Sequence, residues 1–301
     1  LYLDDAITAC YKTYWSRHDH TVALNDESKK LMHNEAKKTQ TYFLHIPKTA
    51  GTSLRSVIEE QFSKDHIAPF SYMHELADIV KRDKNELANY SLFAGHLGHT
   101  LIALLPQVPR VITMIREPVS RTISRFKNLM RNRVRKSVGH ERFLDPNVTI
   151  EDFLSFPPTR RLITNFQVRN LAIDFDLTQT YYDDDGKEIL PKQAKLLSYT
   201  TTNMSDDELL EKAKQRLASF EFVGITDRFA ESMELLLATF GWTTTMDVPH
   251  LNALRDPALT EETLSHETIA QIESYTSLDS ELYRFATALF EQRYAATFHQ
   301  Q

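Results

Sequence analysis

The stretch Tyr42-Phe43-Leu44-His45-Ile46-Pro47-Lys48-Thr49-Ala50-Gly51-Thr52-Ser53-Leu54 limits what this chain can fold into more than any other. An apolar run ends in a proline. A lysine, a glycine and hydroxyl residues follow at once. Apolar residues then return at helical spacing, as Leu54, Val57, Ile58 and Phe62. This order predicts a buried strand over 41–46, a tight turn, and a helix over 52–62. Such a turn offers unpaired backbone N–H groups and the positive end of a helix dipole to an anion. Lys48 adds a full charge, and Thr49, Thr52 and Ser53 add hydroxyl donors. The turn therefore predicts a phosphate-bearing ligand. It is not a Walker A loop, because Lys48 precedes Gly51 and no matching upstream glycine exists. An ordinary P-loop ATPase or GTPase is thereby disfavoured.

Further along, apolar runs alternate with helical patterns. Strands are expected at 91–94, at Arg110–Ile115 and at Phe222–Ile225. Helices are expected at 74–84, 119–136, 159–172, Asp206–Ser219 and 228–240, with a short and a longer helix within 260–298. The polar stretch 174–198, with Asp183-Asp184-Asp185-Gly186, reads as a hairpin or surface loop. Leu235, Leu236, Leu237, Phe240 and Trp242 read as core. The expected fold class is α/β, a mostly parallel central sheet flanked by helices on both faces. Residues 1–40 read as a helical N-terminal arm, and 41–301 as a single domain with insertions.

A second motif follows its own strand as the first does: Arg116-Glu117-Pro118-Val119-Ser120-Arg121-Thr122-Ile123-Ser124-Arg125-Phe126. Pro118 suits the first turn of a helix. Arg116 would sit at the carboxyl end of a strand, where α/β sheets bind ligands. Guanidinium and hydroxyl, eight residues apart as Arg116 and Ser124, can clamp a phosphate. The two motifs together resemble those of the sulfotransferases that use 3′-phosphoadenosine 5′-phosphosulfate (PAPS), within them the branch of the heparan sulfate 2-O- and 6-O-sulfotransferases and their bacterial relatives. The resemblance covers roughly 41–290 and implies a sulfotransferase-type nucleotide fold. It implies that Lys48, Thr49, Ala50, Gly51, Thr52 and Ser53 wrap the 5′-phosphate. Lys48 would also reach the oxygen bridging phosphorus and sulfur, and Arg116 and Ser124 would hold the 3′-phosphate. His96, in Gly95-His96-Leu97-Gly98-His99, is the implied catalytic base; His99 is the rival and Glu117 a more distant one. Phe222-Val223-Gly224-Ile225-Thr226-Asp227-Arg228-Phe229 is family-like too, making Thr226 and Phe229 adenine neighbours. Asn165-Phe166-Gln167-Val168-Arg169-Asn170-Leu171 is similar to a family stretch that would bring Gln167 and Arg169 to the cleft.

From Arg121 to Lys136 there are seven basic residues and no acidic one. The first of these would steer an anionic donor, and Arg131 and Arg135 could meet an acidic acceptor such as a glycan. The expected reaction is sulfuryl transfer from PAPS to an acceptor hydroxyl, most readily that of a carbohydrate, with PAP (adenosine 3′,5′-bisphosphate) as product. Sulfation of a lipid, polyketide or other small hydroxyl compound remains open. So does a nucleotide kinase or a non-catalytic nucleotide-binding protein. No metal motif occurs, and none is expected.

The formal net charge of −6 gives no general pull toward nucleic acid. No apolar run reaches transmembrane length. Cys10 is the one cysteine, which favours a reducing compartment and makes a cytoplasmic location the expectation. Asn-x-Ser/Thr triplets at Asn89, Asn147 and Asn203, and a chain starting at Leu1, leave an excised lumenal catalytic domain open.

Overall fold

The computed structural model describes residues 39–131, 145, 147–177, 181–182, 188–189, 203–245 and 260–299. The expected helical arm at 1–40 lies almost wholly outside them, as does Arg135.

Four short strands form the central sheet: β1 (Thr41–Leu44), β2 (Leu92–Gly95), β3 (Arg110–Ile115) and β4 (Phe222–Ile225), in the order β2-β1-β3-β4. All three pairings are parallel, with Thr41 opposite both Leu92 and Arg110, and Ile112 opposite Phe222. Parallel strands joined by helices are covered on both faces, so each reads as a continuous apolar run. Every residue of β1, β2 and β4 is buried, and β3 exposes part of Arg110 alone. The α/β expectation holds.

Chain order fixes where a ligand can sit. The path leaves β1 for β2 on one side, then returns past β1 to β3 on the other. The carboxyl ends of β1 and β3 therefore flank the point where the winding reverses, the place where open parallel sheets bind ligands. Both phosphate motifs lie at this point.

Helix α1 (Gly51–Glu59) follows β1 and α2 (Thr100–Leu104) follows β2. Helix α3 (Pro118–Arg131) follows β3, with proline at its first position as expected; the rest of its predicted span lies outside the described residues. Val119, Ile123 and Phe126 of α3 pack into a second apolar cluster with Ile150, Phe153 and Leu154 of α4 (Ile150–Ser155). That cluster fixes one face of α3 and turns the stripe carrying Arg121, Ser124 and Arg125 toward the sheet's carboxyl edge. Helices α5 (Phe166–Ala172), α6 (Asp206–Ser219), α7 (Phe229–Phe240), α8 (His266–Tyr275) and α9 (Ser277–Phe298) complete the layers.

Two expected helices are broken. The span 74–84 contains a 3₁₀ turn at Met73–Glu75 and one turn at Leu76–Ile79, and a separate helix begins at Lys84. Asp83 is the cause: it is extended, and its carboxylate accepts from Asn85 N–H at 2.7 Å, capping a new helix. The span 159–172 is divided into Pro157–Arg160 and α5, because Asn165 takes a left-handed conformation (φ 42°). Around 174–198, Tyr181–Tyr182 pairs antiparallel with Glu188–Ile189, in keeping with a hairpin.

At Gly95 the chain has no room for a side chain. A Cβ there would lie 2.4 Å from the Ser71 carbonyl oxygen and 2.5 Å from its Cα. The approach is set by a bond from His96 N–H to Ser71 C=O (2.7 Å), and backbone cannot swing aside as a side chain can. Gly95→Ala should therefore cost about 1–3 kcal/mol, the usual penalty of overpacking. Urea denaturation measures it, and an unchanged midpoint would show that the contact carries no strain.

Candidate functional site

The turn after β1 is strained where it should be if its N–H groups are to converge. Lys48 (φ 75°) and Ala50 (φ 59°) are both left-handed, a conformation costing a non-glycine residue about 1–3 kcal/mol. Ala50 stands at the N-cap of α1, and no side chain caps that end. The first N–H groups of α1 are left for a ligand. Thr49 is fully buried, and its hydroxyl donates to the Ile46 carbonyl at 2.9 Å. Its side chain thus shapes the turn, leaving the backbone to meet a ligand. Ser53 is buried and Thr52 exposed.

The second motif touches the first. Arg116 donates from Nη1 to the Lys48 carbonyl at 3.3 Å, and its Nε is buried with no partner among the described residues. One turn into α3, Arg121 is buried beneath the loop. It donates to the carbonyls of Pro47 (3.2 Å) and Leu162 (3.3 Å) and lies 4.5 Å above the Phe166 ring. Ser124 is half-buried on the same stripe.

These cations converge on Lys48. Burial, then the guanidiniums of Arg125, Arg116, Arg131 and Arg121, lower its pKa to about 8. No carboxylate figures among these influences. Asp227 and Glu117 act on Arg116 and Asp279 on Arg121, yet the charges named around Lys48 itself are cations, and donors left unshared there suit an anion. Glu117 offsets Arg116 in part and serves the helix as well. Its carboxylate accepts from Val119 N–H (2.9 Å) and Ser120 N–H (2.6 Å) and so caps α3.

His96 follows β2. Its Nδ1 lies 2.7 Å from the His45 carbonyl. A carbonyl oxygen can only accept, so the proton is assigned to Nδ1, and Nε2 keeps a lone pair. Burial lowers the His96 pKa, with Arg125, Arg55 and Lys48 pushing the same way against the bond to His45. The ring is thus a neutral acceptor at pH 7. It lies against the His45 ring, tilted by 33° with centroids 4.2 Å apart, and His45 lies so close to Gly51 that a Cβ there would be 2.0 Å from the ring. Gly51 therefore admits the ring that supports His96. His99 faces another way: its Nδ1 meets Asp174 at 3.2 Å, and Asp174 also bonds Lys212 and Arg216. Of the two histidines, His96 shares the electrostatic surroundings of Lys48.

The remaining candidates divide. Gln167 is fully buried, and its amide is spent on Arg116, accepting from its N–H (3.0 Å) and donating to its C=O (2.9 Å). It positions Arg116 instead of lining the cleft. Its own helix is held by Asp279 on α9, whose carboxylate accepts from Gln167 N–H and Val168 N–H (3.1 and 2.8 Å). Asn165 Oδ1 returns the bond, accepting from Leu278 N–H at 3.0 Å. Arg169 is half-buried, in the field of Arg161 and Asp279. Thr226 follows β4 with a buried hydroxyl that has no partner among the described residues, while Phe229 packs in the main core. Arg131 is exposed at the last position of α3. Among the described residues no group of His, Cys, Asp and Glu could hold a metal, and no helix is long and apolar enough to cross a membrane.

Sequence reasoning missed His45, Asp279 and the particular place of Arg125. The four-residue spacing of Arg121 and Arg125 was the one signal available. His45 and Asp279 act through contacts that no local pattern reveals.

Arg116 and Arg121, each with one buried donor atom left unsatisfied, a lysine among cations and an open helix end stand together at one switch point of an α/β protein, an arrangement suited to an anion. A model of the sulfotransferase family matches residues 34–292, and the chain belongs to that family. It is 28% identical over 199 residues to heparan-sulfate 6-O-sulfotransferase 1 of Cricetulus griseus, covering 61% of this chain and 45% of that one. It is 30% identical over 201 residues to heparan-sulfate 6-O-sulfotransferase 3-B of Danio rerio (61% and 43%). Against heparan-sulfate 6-O-sulfotransferase 2 of Homo sapiens the figures are 27% over 287 residues, 84% and 44%. The matches span less than half the length of these relatives. A crystal structure of a sulfotransferase from Alicyclobacillus acidocaldarius superposes with a TM-score of 0.43 at 12% identity, covering 88% of this chain and 97% of that one.

With a pKa near 8, part of Lys48 is uncharged at pH 8.5. An anion beside it favours the charged form, so binding must take up protons there. Calorimetry of PAP binding at pH 8.5, in two buffers of different ionisation enthalpy, should show net proton uptake that is absent at pH 6.5. No uptake at either pH would contradict the placement of Lys48 against the ligand.

Proposed function

We propose that this chain transfers a sulfuryl group from PAPS to a hydroxyl group of a carbohydrate. The observation that carries the reading is the meeting of Lys48 and Arg116 at the switch point, with a neutral His96 near enough to feel the charge of Lys48. The residues fit a doubly phosphorylated adenosine. The open end of α1 and Lys48 suit the 5′-phosphosulfate. Arg116, with Nε unsatisfied, and Ser124 suit the 3′-phosphate. Bound there, PAPS supplies an activated sulfur.

His96 Nε2 takes the proton of the acceptor hydroxyl as its oxygen attacks, contributing roughly 10²–10⁴-fold in rate. Lys48 stabilises the charge that collects on the phosphate oxygen as its bond to sulfur breaks. Gln167 holds the peptide of Arg116, and Gly51 and His45 hold the ring of His96. For the acceptor, support comes from the names of the matched relatives and from the basic end of α3 at Arg131.

Lys48→Ala and Arg116→Ala should each weaken PAP binding by roughly 10–100-fold, the worth of a hydrogen bond to a charged group. His96→Ala should bind PAP as the parent does and lose transfer by about 10²–10⁴-fold. Unchanged PAP affinity in both cation variants would refute the donor site. Full transfer by His96→Ala would remove the assigned base.

The pH profile follows from the same two groups. Transfer needs His96 neutral and Lys48 charged. For the donor, kcat/KM should rise with pH through a pKa below the ordinary histidine value and fall above about 8. The acid limb should vanish in His96→Ala; its persistence there would assign it to another group.

A further inference from the structure

Arg125 is the one basic side chain of the α3 stripe to which neither the fold nor the scheme above gives a task. Arg121, one turn earlier, is committed to two carbonyls and a ring face. Arg125 is half-buried, and among the described residues no hydrogen bond or ion pair holds its guanidinium. Taking a guanidinium out of water without a partner is costly, and such a group is retained where an anion arrives to meet it. Its position narrows which anion. Lys48 comes from the turn after β1 and His96 from the end of β2. The charge of Arg125 acts on Lys48 more strongly than any other, and it is also the strongest charge on His96. Lys48 marks the leaving oxygen and His96 the attacking one. In an in-line transfer the moving group lies between those two oxygens.

We propose that Arg125 grips the sulfonate of the donor, its planar fork holding two of the three non-bridging oxygens between Lys48 and His96. This rests on the sulfuryl-transfer reading. The sulfonate is anionic in the donor and again in the sulfated product, and a guanidinium is suited to two coplanar oxygens. Arg125 neither gives nor takes a proton. The acceptor O–H proton goes to His96 Nε2, the acceptor oxygen bonds sulfur, and the sulfur–oxygen bond to phosphate breaks with its electron pair left on the phosphate oxygen. The role differs from that of a 3′-phosphate or acceptor contact in one measurable respect: it is exerted on PAPS and not on PAP.

The test is calorimetric binding of PAPS and of PAP, without acceptor, to the parent protein, Arg125→Gln and Arg125→Lys, together with steady-state transfer. Arg125→Gln should weaken PAPS roughly 10–100-fold, leave PAP within about 3-fold and lower kcat. Retained PAP binding itself reports an intact fold. Arg125→Lys should recover part of the PAPS affinity. Equal loss for PAPS and PAP would overturn the proposal in favour of a phosphate contact. Unchanged PAPS binding with a raised KM for carboxylate-bearing acceptors alone would overturn it in favour of an acceptor contact. No change in any of these would also overturn it. A parent protein that binds neither nucleotide would sink the sulfuryl-transfer reading first, and this assignment with it.

Discussion

A single buried guanidinium holds the site together. Arg121 reaches from α3 to the carbonyl of Pro47 in the turn after β1 and to that of Leu162, and covers the ring of Phe166 at the start of α5. Burial pushes its pKa down, and the nearby carboxylate of Asp279 pulls the other way. A charge this deep is tolerated only where carbonyl oxygens, an aromatic face and a counter-charge replace its water. Because those replacements come from different segments, the turn cannot shift without disturbing α3 and α5. The geometry of Lys48 and the seating of Arg116 have this pin in common.

From the pin outward, positioning runs through reciprocal caps. Asp279 on α9 accepts the first N–H groups of α5, and Asn165 ahead of α5 accepts those of α9. Each helix end is satisfied by the other, which removes the cost of burying both. Gln167 then passes this fixed geometry to Arg116 through two bonds to its peptide. A contact near the C-terminal helix thereby sets the angle of an arginine at the sheet edge.

What the sequence discloses divides along the same line. Strands β1, β3 and β4 and helix α6 are legible because each is a buried or amphipathic run closed by local turn or capping chemistry. The positions of Lys48, Arg116 and His96 just past the ends of β1, β3 and β2 are legible because each strand is a clear apolar run. The break at Asn165 is not, since its left-handed backbone is stabilised by α9, more than one hundred residues away in the chain. The break at Asp83 was readable from its capping chemistry, and the apolar spacing on either side concealed it. His45 escaped because its part depends on a ring-to-ring contact and on the missing Cβ of Gly51. Gln167 was placed near the site for its polarity, and its tertiary bonds turn it inward.

The cations crowding Lys48 bear on the protein's survival as well as its chemistry. Left without an anion, they repel one another inside a folded shell, and unfolding relieves that repulsion. Any polyanion that settles in the turn removes the penalty and adds its own binding energy, about 2.7 kcal/mol at a hundredfold excess over Kd. Resistance to heat and to proteases should then follow the supply of that small molecule.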